Sequence, residues 1–263
     1  MTGSFLEEPP VSAHVQELFD DDLADSGYVW NVSRLWAHQP DTMKRLFELM
    51  SAAFTPSGLS FRQRGILVTA AASTLGDSYC SMAWGGKLGT ASDAALAAGV
   101  LKGSDAGLTD QEQAMAAWAR RVVRDPNATT QADIQALRDS GLDDAQIFAI
   151  TAFVALRLAF STINDSLGAQ PDAPLAQSLP PEVREAVTYG RPVAPAPPAP
   201  STSRLPSGAA SGAPPNDMVA TTMRTGRHGC HNHVVAATRW LLLPEGSLDK
   251  SGTAGSPATL TDR

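Results

Sequence analysis

Apolar residues recur through most of the chain at the three- and four-residue spacing of helices. Val11, Val15, Leu18 and Phe19 share one face of a short segment from Val11 to Leu23, and Asn31 to Ala37 forms another short turn. Pro40 suits a first helical position, and Met43, Leu46, Phe47, Met50 and Phe54 follow at helical spacing until Pro56-Ser57-Gly58 breaks the chain. Ser60 and Gln63 have the form of a capping box, opening a helix from Phe61 to Leu75 whose uncharged middle predicts burial. Asp77 can cap a helix from Ser78 to Leu88, and Ser92 one from Asp93 to Leu101. A second capping box, Thr109 with Glu112, precedes Ala114 to Val123, and Thr130 begins a short helix that stops at Ser140-Gly141. The last strong helix runs from Asp143 to Leu167 and is ended by Gly168; Pro180-Pro181-Glu182 can start one more, reaching Tyr189. No segment alternates as a strand does, so the expected fold is all-α, a helical bundle.

From about Val193 the pattern stops. Pro, Ala, Gly and Ser dominate to Arg263, a composition that cannot bury enough apolar surface to fold, and a disordered tail is expected. The expected organisation is an N-terminal arm and short helix over 1–27, a helical domain over 28–190, and the tail over 191–263. The formal charge is −7 overall; the stretch from Val193 onward carries +2, which leaves the residues before it at −9. Such an acidic body argues against nucleic acid or an anionic membrane as partner. No run approaches the apolar length of a membrane span, since Gln146 and Arg157 interrupt the longest, Ala145 to Phe160. The first residues show no basic-then-apolar leader, and the two cysteines, Cys80 and Cys230, do not make a disulfide framework; a reducing cytoplasm is the expected setting.

Chemistry concentrates at Asp77-Ser78-Tyr79-Cys80, where a lone thiol falls on the third position of a helix capped by Asp77. The helix N-terminus favours a thiolate there and the Asp77 carboxylate opposes it, so the sign of the thiol's shift stays open. Trp84 shares the face of Cys80 one turn on and can cover the thiol; Tyr79 offers a phenol; Lys87, two turns on, is expected to be solvated. A lone cysteine in a helical core is also often a small buried hydrophobe. His14 and His38 are the only histidines ahead of the tail, which leaves no core metal cluster, and His38 is expected at the surface. In the tail, His228, Cys230, His231 and His233 form a weak metal-ligand candidate without a recognised spacing.

Taken in order, Asn31 with Pro40, the stretch Gly58-Leu59-Ser60-Phe61-Arg62-Gln63-Arg64, the apolar helix running into Tyr79-Cys80, Leu108-Thr109-Asp110, Gly141-Leu142-Asp143-Asp144-Ala145-Gln146-Ile147 and the closing Asn164-Asp165-Ser166-Leu167-Gly168 resemble the carboxymuconolactone decarboxylase-like superfamily, which includes the alkylhydroperoxidase D-like peroxidases. The resemblance implies an all-helical bundle, usually a trimer or hexamer, with thiol peroxidase (peroxiredoxin-type, antioxidant) activity and no cofactor. The family's peroxidase signature is Glu, eleven residues, Cys-x-x-Cys, three residues, His. Only its second cysteine is retained, as Cys80; Gly65, Asp77 and Trp84 stand at the other three positions. The resemblance therefore implies Cys80 as the peroxide-reacting residue, resolved by an external thiol, with Asp77, Tyr79, Trp84 and Lys87 lining the site. A hydroperoxide or lactone-like small molecule is the implied substrate. Two other readings stand beside it: a decarboxylase-like enzyme using the same pocket without thiol chemistry, and a non-catalytic bundle that binds a small molecule or partner.

Overall fold

A computed structural model describes residues 3–196; the tail, with its candidate ligands His228, Cys230, His231 and His233, lies outside the described residues. Within them are eleven α-helices and no strand. Helices α1 (Ala13–Ser26), α2 (Asn31–Trp36) and α3 (Pro40–Phe54) come first, followed by α4 (Phe61–Leu75), α5 (Ser78–Ala91), α6 (Ala94–Leu101) and α7 (Asp110–Arg124). Then come α8 (Gln131–Asp139), the long α9 (Asp144–Ser166), and the short α10 (Ala173–Ser178) and α11 (Pro181–Ala186).

Helix α4 is the hub. It packs against α5, α6, α7 and α9, and every residue from Arg64 to Ala72 is buried. Helix α3 covers the far side of α9. Helix α5 comes so close to its neighbours that a Cβ at Gly85 would lie 3.0 Å from both Leu101 and Val183, which lets α6 and α11 close over it. By length and composition α9 could cross a membrane, with a mean hydropathy of 1.7, but here it packs against α3, α4, α7 and α8. Residues at the start of the expected tail are held on the domain, with the Arg191 guanidinium donating to the Asp165 carbonyl at 2.7 Å and the Ala194 N–H to Pro171 at 2.8 Å.

Local capping chemistry explains most boundaries. The Ser60–Gln63 and Thr109–Glu112 boxes both form, as do boxes at Thr130–Asp133 and Asp143–Gln146. Two expectations need correction. Asp93, not Ser92, caps α6, accepting from the Leu96 N–H at 2.6 Å, because the helix begins one residue later than expected, at Ala94, and the residue just before it holds the N-cap position; Ser92 instead accepts from Arg62 Nη1 at 2.6 Å. Val11 is 64% exposed and precedes α1, whose cap is Ser12, so the buried face is Val15, Leu18 and Asp22. Helix α10 has no side-chain cap and only six residues, which is why the pattern does not reveal it.

One ion pair pins the hub. Arg62 Nε and Nη2 donate to the two Glu112 oxygens at 2.6 and 3.1 Å, and the Thr109 N–H donates to the second oxygen at 3.0 Å. Arg62 holds the Glu112 carboxyl below its usual range, so this support is fully present above the ordinary glutamate pKa and is lost as pH falls through the lower folded one. Glu112→Gln should lower stability by about 2 kcal/mol at pH 7. Urea unfolding at pH 7 and pH 3 should show that deficit shrinking at the acidic pH.

Candidate active site

Asp77 is fully buried at the N-cap of α5, where its Oδ1 accepts from the Cys80 N–H at 2.9 Å; Oδ2 has no hydrogen-bond partner among the described residues. Cys80 follows at the third helical position and is only 2% exposed. Two side chains of α9 meet its sulfur: Arg157 Nη2 donates to Sγ at 3.2 Å and the Ser161 hydroxyl at 3.5 Å. Burial, then the Asp77 carboxylate, push the thiol well above its ordinary pKa; Arg157 and Ser161 pull it partway back. The resting sulfur is therefore a thiol with a preformed cationic partner. That arrangement differs from an inert packing cysteine, whose neighbours would be apolar.

Trp84, one turn on, is buried, and its indole N–H has no acceptor among the described residues. Three cations surround its ring. The Arg64 and Arg157 guanidinium carbons lie 5.3 and 5.6 Å from the ring centroid, and Lys87 Nζ lies 4.7 Å away. Lys87 is thus not the solvated residue its position suggests. Its stem is half-buried, and burial, followed by the positive charges of Arg157 and Arg64, pushes its amine well below the ordinary lysine range. On its outer side Lys87 lines a wide groove of about 680 Å³ with Tyr28, Trp30, Phe61, Leu175 and Leu179.

Tyr79 goes elsewhere. Its hydroxyl donates to the buried Asp172 carboxylate and accepts from the Val32 N–H at 3.4 Å, and burial then Asp172 raise its pKa strongly. It braces α5 against α2 and the start of α10 rather than serving the thiol. His38 is exposed and bonded to the Glu7 carbonyl at 3.0 Å, and His14 sits beside Asp41 at 3.1 Å, so neither histidine reaches the thiol's neighbours.

The structure thus joins Cys80, Asp77, Trp84 and Lys87 and leaves Tyr79 aside. Sequence reasoning misses Arg64, Arg157 and Ser161. A signal for Arg157 does exist, since it is a lone charge inside the most apolar run of the chain. Between Arg64, Trp84 and Arg157 a small cavity reaches toward α3, with Phe47, Met50 and Phe153 as apolar walls and about 20 Å³ of solvent-accessible space.

No known family profile and no curated protein matches the chain. Solved structures do. A peroxidase-related protein from Ralstonia eutropha JMP134, described as an alkylhydroperoxidase AhpD core, aligns with a TM-score of 0.59 at 24% identity, covering 65% of this chain and 94% of that one. A peroxidase-related protein from Silicibacter sp. TM1040 aligns with a TM-score of 0.58 at 20% identity, covering 66% and 94%. The debrominase Bmp8 aligns with a TM-score of 0.54 at 12% identity, covering 70% and 96%, and a cysteine-to-alanine variant of it was solved in complex with 2,3,4-tribromopyrrole. The fold is that of the alkylhydroperoxidase core, as the order of sequence landmarks implies.

Proposed function

We propose that this AhpD-fold protein is a single-cysteine thiol oxidoreductase that reduces a small hydroperoxide at Cys80. The observation that carries the reading is the Arg157 guanidinium 3.2 Å from Cys80 Sγ, a charge-assisted contact that becomes stronger as the sulfur gains negative charge. The sulfur attacks the terminal peroxide oxygen while its proton passes to Asp77, the O–O bond breaks, and the departing alkoxide takes that proton to leave as an alcohol. Cys80 is then a sulfenic acid. One external thiol converts it to a mixed disulfide with release of water, and a second returns Cys80 to the thiol and leaves as the external disulfide. Asp77, at the place of the family's first cysteine, holds a proton and does not resolve the sulfenic acid. The clefts beside Arg157 give about 10 and 20 Å³ of solvent-accessible space, room for roughly one solvent-sized group, which suits hydrogen peroxide or a short alkyl hydroperoxide. The tribromopyrrole complex of a protein with this fold supports a small-molecule reaction. Exposed Leu49 and Phe148, on the paired helices α3 and α9, support self-association of copies.

In full-length Cys230→Ser protein, mild excess hydrogen peroxide should add oxygen to Cys80, seen by intact mass, and an added small thiol should reverse it. Because the folded thiol titrates above its ordinary value, its thiolate fraction keeps growing at alkaline pH, and the oxidation rate should climb from pH 7 to pH 9 without a plateau. A Cys80 that stays reduced in the folded protein sinks the proposal.

A further inference from the structure

We propose that Ser161 is a catalytic residue of the Cys80 site, its hydroxyl sharing with Arg157 the negative charge that builds on the sulfur as it attacks. This rests on the reading of Cys80 as the peroxide-reacting residue and adds a group to it. Ser161 is 4% exposed toward the end of α9, and its hydroxyl donates to Cys80 Sγ at 3.5 Å. Arg157 lies one turn back on the same helix face, so α9 brings two donors to one sulfur. Both also line the narrow cleft between α4 and α9, whose other walls are aliphatic side chains such as Val68, Ala72 and Leu158, with no carboxylate or second hydroxyl among them.

The direction of the hydroxyl carries the inference. A hydroxyl inside a helix commonly returns to the carbonyl one turn back. Here Thr74 donates to the Ala70 carbonyl at 2.7 Å, Thr90 to Gly86 at 3.1 Å and Thr151, on α9 itself, to Ile147 at 2.7 Å. Ser161 instead has the sulfur as its only side-chain partner among the described residues. A neutral thiol is a weak acceptor, so in the resting protein the hydroxyl gives up a strong bond for a poor one. The exchange becomes favourable once the sulfur is negative, because a hydrogen bond to an ion is about twice as strong as a neutral one. The aliphatic walls sharpen this, since Arg157 and Ser161 are the only side chains lining the cleft that can hydrogen-bond to the charge. Burial, then Asp77, raise the thiol pKa, and after Arg157 it is Ser161 that draws it down. The hydroxyl keeps its own proton throughout. The sulfur's electron pair forms the S–O bond, the O–O bond breaks, and the thiol proton still passes by way of Asp77 to the departing alkoxide.

The test places Ser161→Ala, Ser161→Thr and Ser161→Val in the full-length Cys230→Ser parent. Oxidation of Cys80 by hydrogen peroxide should slow about tenfold in Ser161→Ala and Ser161→Val, and Ser161→Thr should stay within about threefold of the parent. Threonine and valine have nearly the same shape, so the difference between them reads the hydroxyl alone. Alkylation of Cys80 by iodoacetamide, which needs the thiolate but no peroxide, should slow in the same order. Urea unfolding should leave Ser161→Ala close to the parent, because the bond it loses is to a neutral thiol. If Cys80 of the parent takes up no oxygen, the peroxide reading fails, and the alkylation rates still decide whether Ser161 shares the sulfur's charge. Rates in Ser161→Ala equal to those of the parent, or a Ser161→Thr variant as slow as Ser161→Val, would overturn the inference.

Discussion

Replacing Arg157 with Met should stabilise the protein by about 1–2 kcal/mol and slow Cys80 oxidation by about a hundredfold. The two effects share one cause. Arg157 is 3% exposed in the middle of α9, and among the described residues its sole hydrogen-bond acceptor is a sulfur and no carboxylate pairs with it. A buried guanidinium left this way has lost its hydration and regains little of it from Trp84 at 5.6 Å and Phe160 at 5.1 Å. Methionine fills a similar volume in the apolar wall and asks for no acceptor. What it cannot do is stabilise charge on Cys80 as the sulfur attacks. Urea unfolding and peroxide kinetics on the same preparation check both halves. A variant that loses stability along with rate would make Arg157 a structural residue and sink the assignment; gain with loss is the mark of a group retained for chemistry.

That trade also marks where the sequence stops being informative. Helix boundaries are legible because capping is local: Ser60 with Gln63 and Thr109 with Glu112 act over three residues, and both boxes form where the pattern puts them. Cys80 and Asp77 are legible for the same reason, as the N3 and N-cap positions of one helix start. The cation cluster is not, because Arg64, Lys87 and Arg157 belong to three helices and meet only through the packing of α4 against α5 and α9. Lys87 shows the same limit. Its sequence neighbours suit a solvated side chain, and only the facing Trp84, Arg64 and Arg157 set its environment. The three missing signature positions read as a loss from sequence alone, yet the space beside Trp84 is occupied by cations from other helices rather than by apolar fill.

Asp22→Asn should raise stability at pH 8 by an amount on the order of 3 kcal/mol and leave it nearly unchanged at pH 4. Asp22 is 1% exposed on α1; its Oδ2 accepts from the Trp30 N–H at 3.0 Å and its Oδ1 has no partner among the described residues. Burial pushes its pKa up to about 7, with Ser33 and the Trp30 N–H holding it down in part and Asp172 adding repulsion. Between the unfolded value near 4 and this folded one, the native state carries a proton that the unfolded chain has released, so stability falls as pH rises through that window. Above it the folded protein holds a charged, half-bonded carboxylate out of water. Asparagine keeps the acceptor for Trp30 and carries no charge at any pH. The carboxylates whose pKa values are lowered, such as Glu112, push the overall curve the other way, so the measurement is the difference between variant and wild type in urea at each pH. The difference should open between pH 4 and pH 7. A variant less stable than wild type at pH 8 would mean that Asp22 is held by partners strong enough to keep it ionised, and that the buried acid pair with Asp172 contributes to stability instead of opposing it.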